Sequence, residues 1–377
     1  MKRVCIFSAQ YLPSSYGVEK YTYNIAREMS RRGIEVTIVT SDLYGAPATE
    51  YRDNIRIYRV PSYGLMNNRF PLIKYNAVFR KMMKEISAVT YDLCITQTRF
   101  YPLSLLGTRI GKKYAKRNIL IEHGTTHIEM GSSILKKAGE IYEHLITSFI
   151  KENVKEFYGV SRDCNCWLLH FGIKANGVLY NAINENEILS ISPDSLRKQW
   201  KIPGDDILLV FTGRLIKEKG VLQLVEAFSQ LSKTYANLSL VIAGEGPLMD
   251  DLKKLQIPKL FLRGRIPFSD VVRLLKEADI FCFPSTYAEG MPTSLLEAGI
   301  CKTCLISTKC GGAREIIADR EYGILLEDNR YETLKMALVK VIEDEADRRK
   351  MAENISQRVQ ENFIWSKVTD KIEKDFL

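Results

Sequence analysis

Short apolar runs alternate along this chain with stretches whose apolar residues recur every three or four positions. In the first half, VCIFSA (4–9), EVTIVT (35–40), IRIYRV (55–60), DLCIT (92–96), NILIE (118–122), FYGVS (157–161) and VLYN (178–181) are continuous or nearly continuous apolar runs. Such runs read as strands buried on both faces. Between them the period changes to that of a helix. Val18, Tyr21, Ile25 and Met29 form one stripe that stops at Gly33, and Leu103, Leu106, Ile110 and Tyr114 form another within 102–117. Helices are also predicted over 71–89, over 134–151 and from Arg162. Residues 182–205, with Pro193, Pro203 and Gly204, are the linker candidate. The alternation then restarts with strands at 207–213, 238–244, 260–264, 279–283, 303–307 and 323–327. Helices follow Gly220, Pro247, Phe268 and Pro292, and the last 50 residues are helical and charged. Repeated strand–helix alternation implies parallel sheets covered on both faces. The expected architecture is α/β: two doubly wound, Rossmann-like domains facing across a cleft, 1–182 and 183–362, with 363–377 returning to the first.

Composition narrows the class. Apolar residues make up 46% of the 377 and charged residues 26%, as in soluble globular proteins. No apolar run approaches the roughly 18 residues of a membrane helix. The opening MKRVCIFSAQ has an apolar run of about six residues, short of the roughly 7–15 of a signal peptide, and so reads as a first strand of a cytoplasmic chain. The eight cysteines are scattered, which excludes a disulfide scaffold. Cys301 and Cys304 have CxxC spacing with Cys310 following, but there is no second pair and no nearby His, so they read as structural and no metal is expected. The net charge of +9 is uneven: residues 1–180 carry 26 Lys and Arg against 15 Asp and Glu. That excess suggests an anionic partner for the first half, such as a membrane surface, a lipid-linked phosphate or nucleic acid.

The chemistry concentrates at strand carboxyl ends, where ligands bind in doubly wound sheets. After the strand at 279–283, the stretch FPSTYAEGMPTSLLEAG (283–299) passes through a Gly-containing loop into a helix. Unpaired amides at such a helix start, aided by its dipole, suit a phosphate. Glu289 and Glu297 flank the stretch, eight positions apart. One carboxylate for each sugar of a nucleotide-diphosphate sugar fits this pattern; a solvated loop is the plainer reading. In FTGRLIKEKG (211–220), Arg214 and Lys219 lie between Gly213 and Gly220. Arg can grip a diphosphate bidentately and Lys as a point charge. The loop HGTTH (123–127) holds two of the four His, and His123 is the candidate contact for a reacting group. Gly17, after the first strand, permits close backbone approach.

GRLIKEKG followed by EGMPTSLLEA resembles the retaining nucleotide-sugar glycosyltransferases of the GT-B fold, glycosyltransferase group one (family four). VIAGEGPL (241–248), LRGRIPFSDV (262–271), EHGTTHIEM (122–130) and VLYNAIN (178–184) are similar to further segments of that family, so the likeness spans nearly the whole chain. It implies that Arg214 and Lys219 hold the donor diphosphate and that Glu289 faces the hydroxyls of the transferred sugar. It also implies backbone contacts from Gly213, Gly290, Met291 and the neighbours of Pro292, with Thr293 and Leu295 completing the donor set. Glu297 would accept from the ribose, the backbone around Arg265 would bind the base, Gly17 would approach the phosphates, and His123 would contact the transferred sugar. The family's first loop often carries two adjacent glycines; here the pair is Tyr16-Gly17, which departs from that pattern. Trp365 would lie on a last helix that crosses back to the first domain.

The implied reaction moves a hexose-type sugar from a UDP- or GDP-linked donor to an acceptor hydroxyl, with retention and without a metal or other cofactor. The expected acceptor is a glycan or lipid-linked glycan of bacterial surface polysaccharide synthesis. Arg109, Lys112, Lys113, Lys116 and Arg117 on one helix, and Arg80, Lys81 and Lys84 on another, would let the first domain rest peripherally on the anionic inner face of the cell membrane. Rival readings are an epimerase on the same fold and a transferase acting on a soluble small molecule. A phosphorylase would need a pyridoxal lysine that no feature identifies. A nucleic-acid binder would have no use for Arg214, Lys219, Glu289 and Glu297, all in the less basic half.

Overall fold

The computed structural model describes residues 1–14, 17–128, 133–192 and 194–377. Tyr16, Glu129, Met130 and Pro193, which figured in the sequence reading, lie outside them. The chain divides into two compact units: Met1–Asn181 with Trp365–Leu377, and Ala182–Ile364.

The first unit is built on nine strands: β1 (Arg3–Phe7), β2 (Glu35–Asp42), β3 (Thr49–Arg52), β4 (Ile55–Leu65), β5 (Phe70–Ile73), β6 (Tyr91–Gln97), β7 (Ala115–Glu122), β8 (Glu156–Gly159) and β9 (Gly177–Val178). Their order is β3-β4-β2-β1-β6-β7-β8-β9, with β5 beside β4. All pairings are parallel except those of β3 and β5 with β4. Val4, Cys5, Ile6 and Phe7 are buried throughout because helices cover both faces, which is why the run shows no alternation. The helix Trp365–Phe376 packs in this unit. Arg32, at the end of the helix Gly17–Arg31, reaches Asp370 and Glu373 at 2.7 and 2.9 Å. The ring of Trp365 meets that of Tyr21 edge-on at 5.0 Å.

Three local expectations are corrected. The helix predicted over 71–89 begins only at Ala77, where the Asn76 side chain accepts from the Phe79 amide at 2.9 Å. Before it, Phe70–Ile73 forms an antiparallel edge on β4, with Pro71 opposite Gly64; an edge strand tolerates the missing proline N–H. The helix predicted over 102–117 spans Pro102–Tyr114, and Ala115 is already extended. Asn118 ties this switch down by donating to the Thr108 and Asn153 carbonyls, so Lys116 and Arg117 stand on a strand. Residues 182–205 are not a free linker. They carry short helices, Glu185–Leu189 and Leu196–Trp200, within the second unit. Arg197 fastens them, donating to the Pro203, Asp206 and Glu277 carbonyls at 2.8–3.1 Å and pairing with Asp279 at 3.2 Å.

The second unit is a parallel sheet of β10 (Ile207–Thr212), β11 (Leu238–Ala243), β12 (Leu260–Gly264), β13 (Ile280–Phe283), β14 (Cys304–Thr308) and β15 (Ile324–Leu326). The order β12-β11-β10-β13-β14-β15 reverses direction between β10 and β13. The loops leaving these two neighbouring strands therefore part to opposite sides and leave a crevice at their carboxyl ends. Beneath it lies a core that includes Leu209, Phe211, Phe228, Ile242, Ile280 and Leu338. The eight cysteines are free thiols, with Cys282 and Cys304 inside the sheet. No helix among the described residues is long and apolar enough to cross a membrane.

Candidate active site

At the β10/β13 switch point three loops lock together. After β10 the chain runs through Gly213 and Arg214 into a tight turn, Lys217–Lys219, that ends at Gly220. Gly220 has φ +71°, and a Cβ there would lie 2.1 Å from the Pro284 carbonyl oxygen, so only glycine fits. The Glu218 carbonyl accepts from the amides of Thr286 and Tyr287 at 2.7 and 3.1 Å, which latches the β13 loop to the β10 loop. From the other side, Gly311 (φ +52°) presses on the backbone of Glu289, where a Cβ would come within 2.6 Å of the carbonyl oxygen. Gly312 donates to the Gly290 carbonyl at 3.1 Å. The Glu289–Gly290 backbone is thus clamped before any ligand arrives, as a site that must not reorganise requires.

The side chains on this frame carry opposed charges. Lys219 is buried and its ammonium pairs with the Glu289 carboxylate. The same nitrogen lies 5.0 Å from the Phe283 ring centre and 5.2 Å from that of Tyr287. Arg214 is exposed, with its guanidinium 4.9 Å from the Tyr287 ring. One aromatic ring therefore serves two cations, and Glu289 offsets their mutual repulsion. Tyr287 escaped the sequence reading. The available signal was an aromatic two residues before Glu289 in a loop otherwise made of small and polar residues.

The helix Thr293–Ile300 starts directly after Pro292 with no side-chain cap. Its first amides are therefore open to a ligand. Gly290 and Thr293 are half-buried beside it, and Met291 and Pro292 are buried. Leu295 is fully buried and its amide donates to the Pro292 carbonyl at 3.2 Å, so its side chain belongs to the core. Glu297 sits half-buried one turn into the helix. Arg265 is exposed just past β12, two strands removed from β10, and stands apart from the cation cluster.

In the first unit His123 follows β7 and is packed edge-on against Tyr21 at 4.8 Å. Its Nε2 lies 2.7 Å from Gln97 Oε1. Burial pushes the imidazole down to about 3, so the ring is neutral at physiological pH. A neutral ring that donates to Gln97 keeps Nδ1 as an acceptor. Its loop is anchored by Glu122, whose carboxylate accepts from the amides of His123 and Gly124 at 3.0 Å. Burial raises Glu122 above the usual carboxylate range, against the pull of nearby Arg99. Tyr21 was read only as part of a helical stripe and Gln97 not at all, because neither lies near His123 in the chain. Gly17 opens its helix, and a Cβ there would meet nothing within 4 Å, so packing does not demand glycine at this position.

Two Rossmann-like units of this kind make up the GT-B architecture, which the solved structures reported below share. Residues 16–187 match the model of Glycosyltransferase Family 4 and residues 193–358 that of Glycosyl transferases group 1. The chain belongs to the group 1 glycosyltransferases. An uncharacterized glycosyltransferase of Methanocaldococcus jannaschii is 27% identical, over 99% of this chain and 98% of its own. An N,N'-diacetylbacillosaminyl-diphospho-undecaprenol alpha-1,3-N-acetylgalactosaminyltransferase of Campylobacter jejuni is 26% identical, over 93% and 95%. Among solved structures, a sucrose-phosphate synthase of Thermosynechococcus elongatus superposes with a TM-score of 0.74 at 18% identity, covering 99% of this chain and 98% of the other. Anabaena HepE in complex with UDP does so with a TM-score of 0.73 at 17% identity, covering 99% of each.

Proposed function

We propose that this glycosyltransferase moves a hexose-type sugar from a UDP- or GDP-linked donor to an acceptor hydroxyl with retention of anomeric configuration. The observation that carries the reading is the pair of cations, Arg214 and Lys219, gathered on Tyr287 at the switch point with Glu289 between the clamped loops. When the anomeric C–O bond breaks, the electron pair leaves with the diphosphate. Two fixed cations and the open amides at Thr293 stabilise that charge in place, which is the largest single contribution such a site makes. The acceptor oxygen bonds to the anomeric carbon on the face the diphosphate leaves, and its proton passes to a departing phosphate oxygen. This scheme needs neither an enzymic nucleophile nor a metal ion. Without donor, Glu289 holds Lys219; with donor, the diphosphate takes the ammonium and Glu289 turns to the sugar hydroxyls. Glu297 accepts from the ribose, the backbone near Arg265 meets the base, Gly17 approaches the phosphates, and neutral His123 contacts the transferred sugar.

We further propose a lipid-linked glycan acceptor, as in bacterial surface polysaccharide synthesis. The Campylobacter relative, whose name states such an acceptor, supports this choice. Membrane approach through the basic residues alone is weakened: Lys116 pairs with Asp92, Arg117 with Glu156, and Lys112 donates to the Glu152 carbonyl. Better support comes from the helix Ser133–Asn153, where Ile134, Ile141, Leu145 and Phe149 are half or more exposed on one face, with Lys136 and Lys137 exposed nearby. An apolar stripe flanked by lysines suits peripheral binding to an anionic bilayer.

The test is transfer from labelled UDP- and GDP-hexoses to a polar-lipid extract and to soluble sugars, with the product linkage read by NMR. Donor-dependent labelling of the lipid fraction with the donor's anomeric configuration is expected. An inverted product would overturn retention, and labelling of soluble sugars alone would overturn the lipid acceptor. Conversion of donor without any acceptor would indicate an epimerase.

A further inference from the structure

Three of the chain's four histidines converge on one patch of the first unit, a grouping that their spacing in the sequence hides. His127 comes from the loop after β7, His144 from the middle of the helix Ser133–Asn153, and His170 from the residue that closes the helix Arg162–Leu169. His170 Nε2 lies 3.2 Å from His127 Nε2 and 3.2 Å from His144 Nε2, and one nitrogen of each ring falls within 4.8 Å of the others. Two nitrogens bound at ~2.0–2.1 Å to one tetrahedral zinc ion stand ~3.3 Å apart. Two of the three separations match this spacing, and the third, within 4.8 Å, reaches it by a shift of up to ~1.5 Å.

The surroundings favour this over a hydrogen-bonded trio. The Glu143 carboxylate lies 3.3 Å from His127 Nδ1 and is fully buried, gripped by Arg99 at 2.7 Å and by the Ile128 amide at 2.7 Å. This 3.3 Å contact is electrostatic and not an aligned hydrogen bond; it favours the tautomer protonated at Nδ1, which leaves the Nε2 lone pair for a cation, and a small ring rotation would complete the carboxylate–histidine–metal arrangement. A neutral imidazole has one N–H to give, so His170 cannot fully satisfy both of its neighbours. One cation satisfies all three nitrogens. The Trp167 ring stacks on His170 at 5.0 Å, 8° from parallel, and fixes its orientation. The nitrogens border an open cavity of about 610 Å³ lined also by Glu140, Ile141 and Leu145, with room for water or a carboxylate as fourth ligand.

We propose that His127, His144 and His170 bind one divalent transition-metal ion, with zinc the best match to three imidazoles in an open tetrahedral set. The ion joins the loop that also carries His123 to two helices of the first unit. It stands apart from the transferase reading and does not depend on it.

The test uses the untagged full chain, stripped with chelator and desalted, then titrated with cobalt(II) and with zinc(II). One equivalent of cobalt should bind with visible d–d bands, be displaced by zinc, and raise the melting temperature. His144→Gln and His170→Gln, both at exposed positions, should each lose the saturable equivalent and the zinc-dependent shift while keeping the parent circular dichroism spectrum. Cys166→Ser removes the exposed thiol on the helix that His170 closes and should retain both. Absence of a saturable equivalent, its survival in His170→Gln, or its loss in Cys166→Ser would each overturn the proposal.

Discussion

Replacing Lys219 by Met keeps the buried stem and removes the charge, and it separates the two roles argued for this residue. Lys219 and Glu289 pair with side chains 11% and 19% exposed, so the substitution leaves a carboxylate largely out of water. Breaking a fully buried pair costs about 3–5 kcal/mol; with this residual exposure about 1–2 kcal/mol is expected. For a unit of this size that lowers the melting temperature by roughly 2–8 °C. A hydrogen bond to a charged group contributes about 1.5–3 kcal/mol. Donor affinity should therefore fall roughly 10- to 150-fold. If the ammonium also meets charge that develops on the leaving diphosphate, kcat should fall by a further ~100-fold or more. The double variant Lys219→Met/Glu289→Gln also removes the largely buried negative charge, so its melting temperature should recover while donor affinity does not. Differential scanning fluorimetry gives the stability, and titration with the cognate nucleotide sugar gives the affinity. Donor affinity and kcat of Lys219→Met within about twofold of the parent would rule out a donor contact by the ammonium, as would recovery of donor binding in the double variant.

Other consequences can be checked separately. Gly220→Ala places a Cβ against the Pro284 carbonyl in a left-handed conformation and should cost at least about 1–3 kcal/mol, seen as a lower denaturation midpoint. Glu297→Gln should weaken the nucleotide-sugar complex roughly tenfold or more, and a 2′-deoxyribose donor should reduce that difference. His123 titrates near 3 when folded and near 6.5 when unfolded, so the unfolded chain takes up its proton first as pH falls. Its neutral burial supports the fold fully above pH 6.5, and that support is lost progressively between pH 6.5 and 3. His123→Gln should therefore flatten the fall in urea midpoint over this window; an unchanged slope would contradict the assignment.

The sheets were legible because a strand buried on both faces announces itself as an unbroken apolar run, as Val4–Phe7 and Leu209–Phe211 do. Segments whose state is set by neighbours were not. Phe70–Ile73 carries no more strand signal than helix signal, and it is a strand because β4 extends past the sheet and offers an edge. Residues 115–117 continue a good helical sequence, yet Asn118 binds carbonyls from two helices and forces the turn into β7. Arg214, Lys219 and Glu289, which the structure brings together, could be named because loop glycines and strand ends bracket them. Tyr287 could not be given its role, because an aromatic platform is defined by the two cations it meets in space. The histidine cluster was hidden for the same reason: His127, His144 and His170 have no metal-motif spacing, and three separate segments bring them together.

The central claim is that a nucleotide-diphosphate sugar binds at the loops after β10 and β13. Its most direct test is a thermal-shift panel of UDP-, GDP-, ADP-, CMP- and dTDP-sugars on the parent, Lys219→Met and Glu297→Gln proteins. Stabilisation grows as RT ln(1 + [L]/Kd), so a donor at 100 times its Kd contributes about 2.7 kcal/mol. A clear shift with one nucleoside class is predicted in the parent; a tenfold loss of affinity leaves about 1.4 kcal/mol of it, so the shift should fall by about half or more in both variants. A panel with no shift for any nucleotide sugar, or a shift of equal size in the parent and both variants, would contradict it.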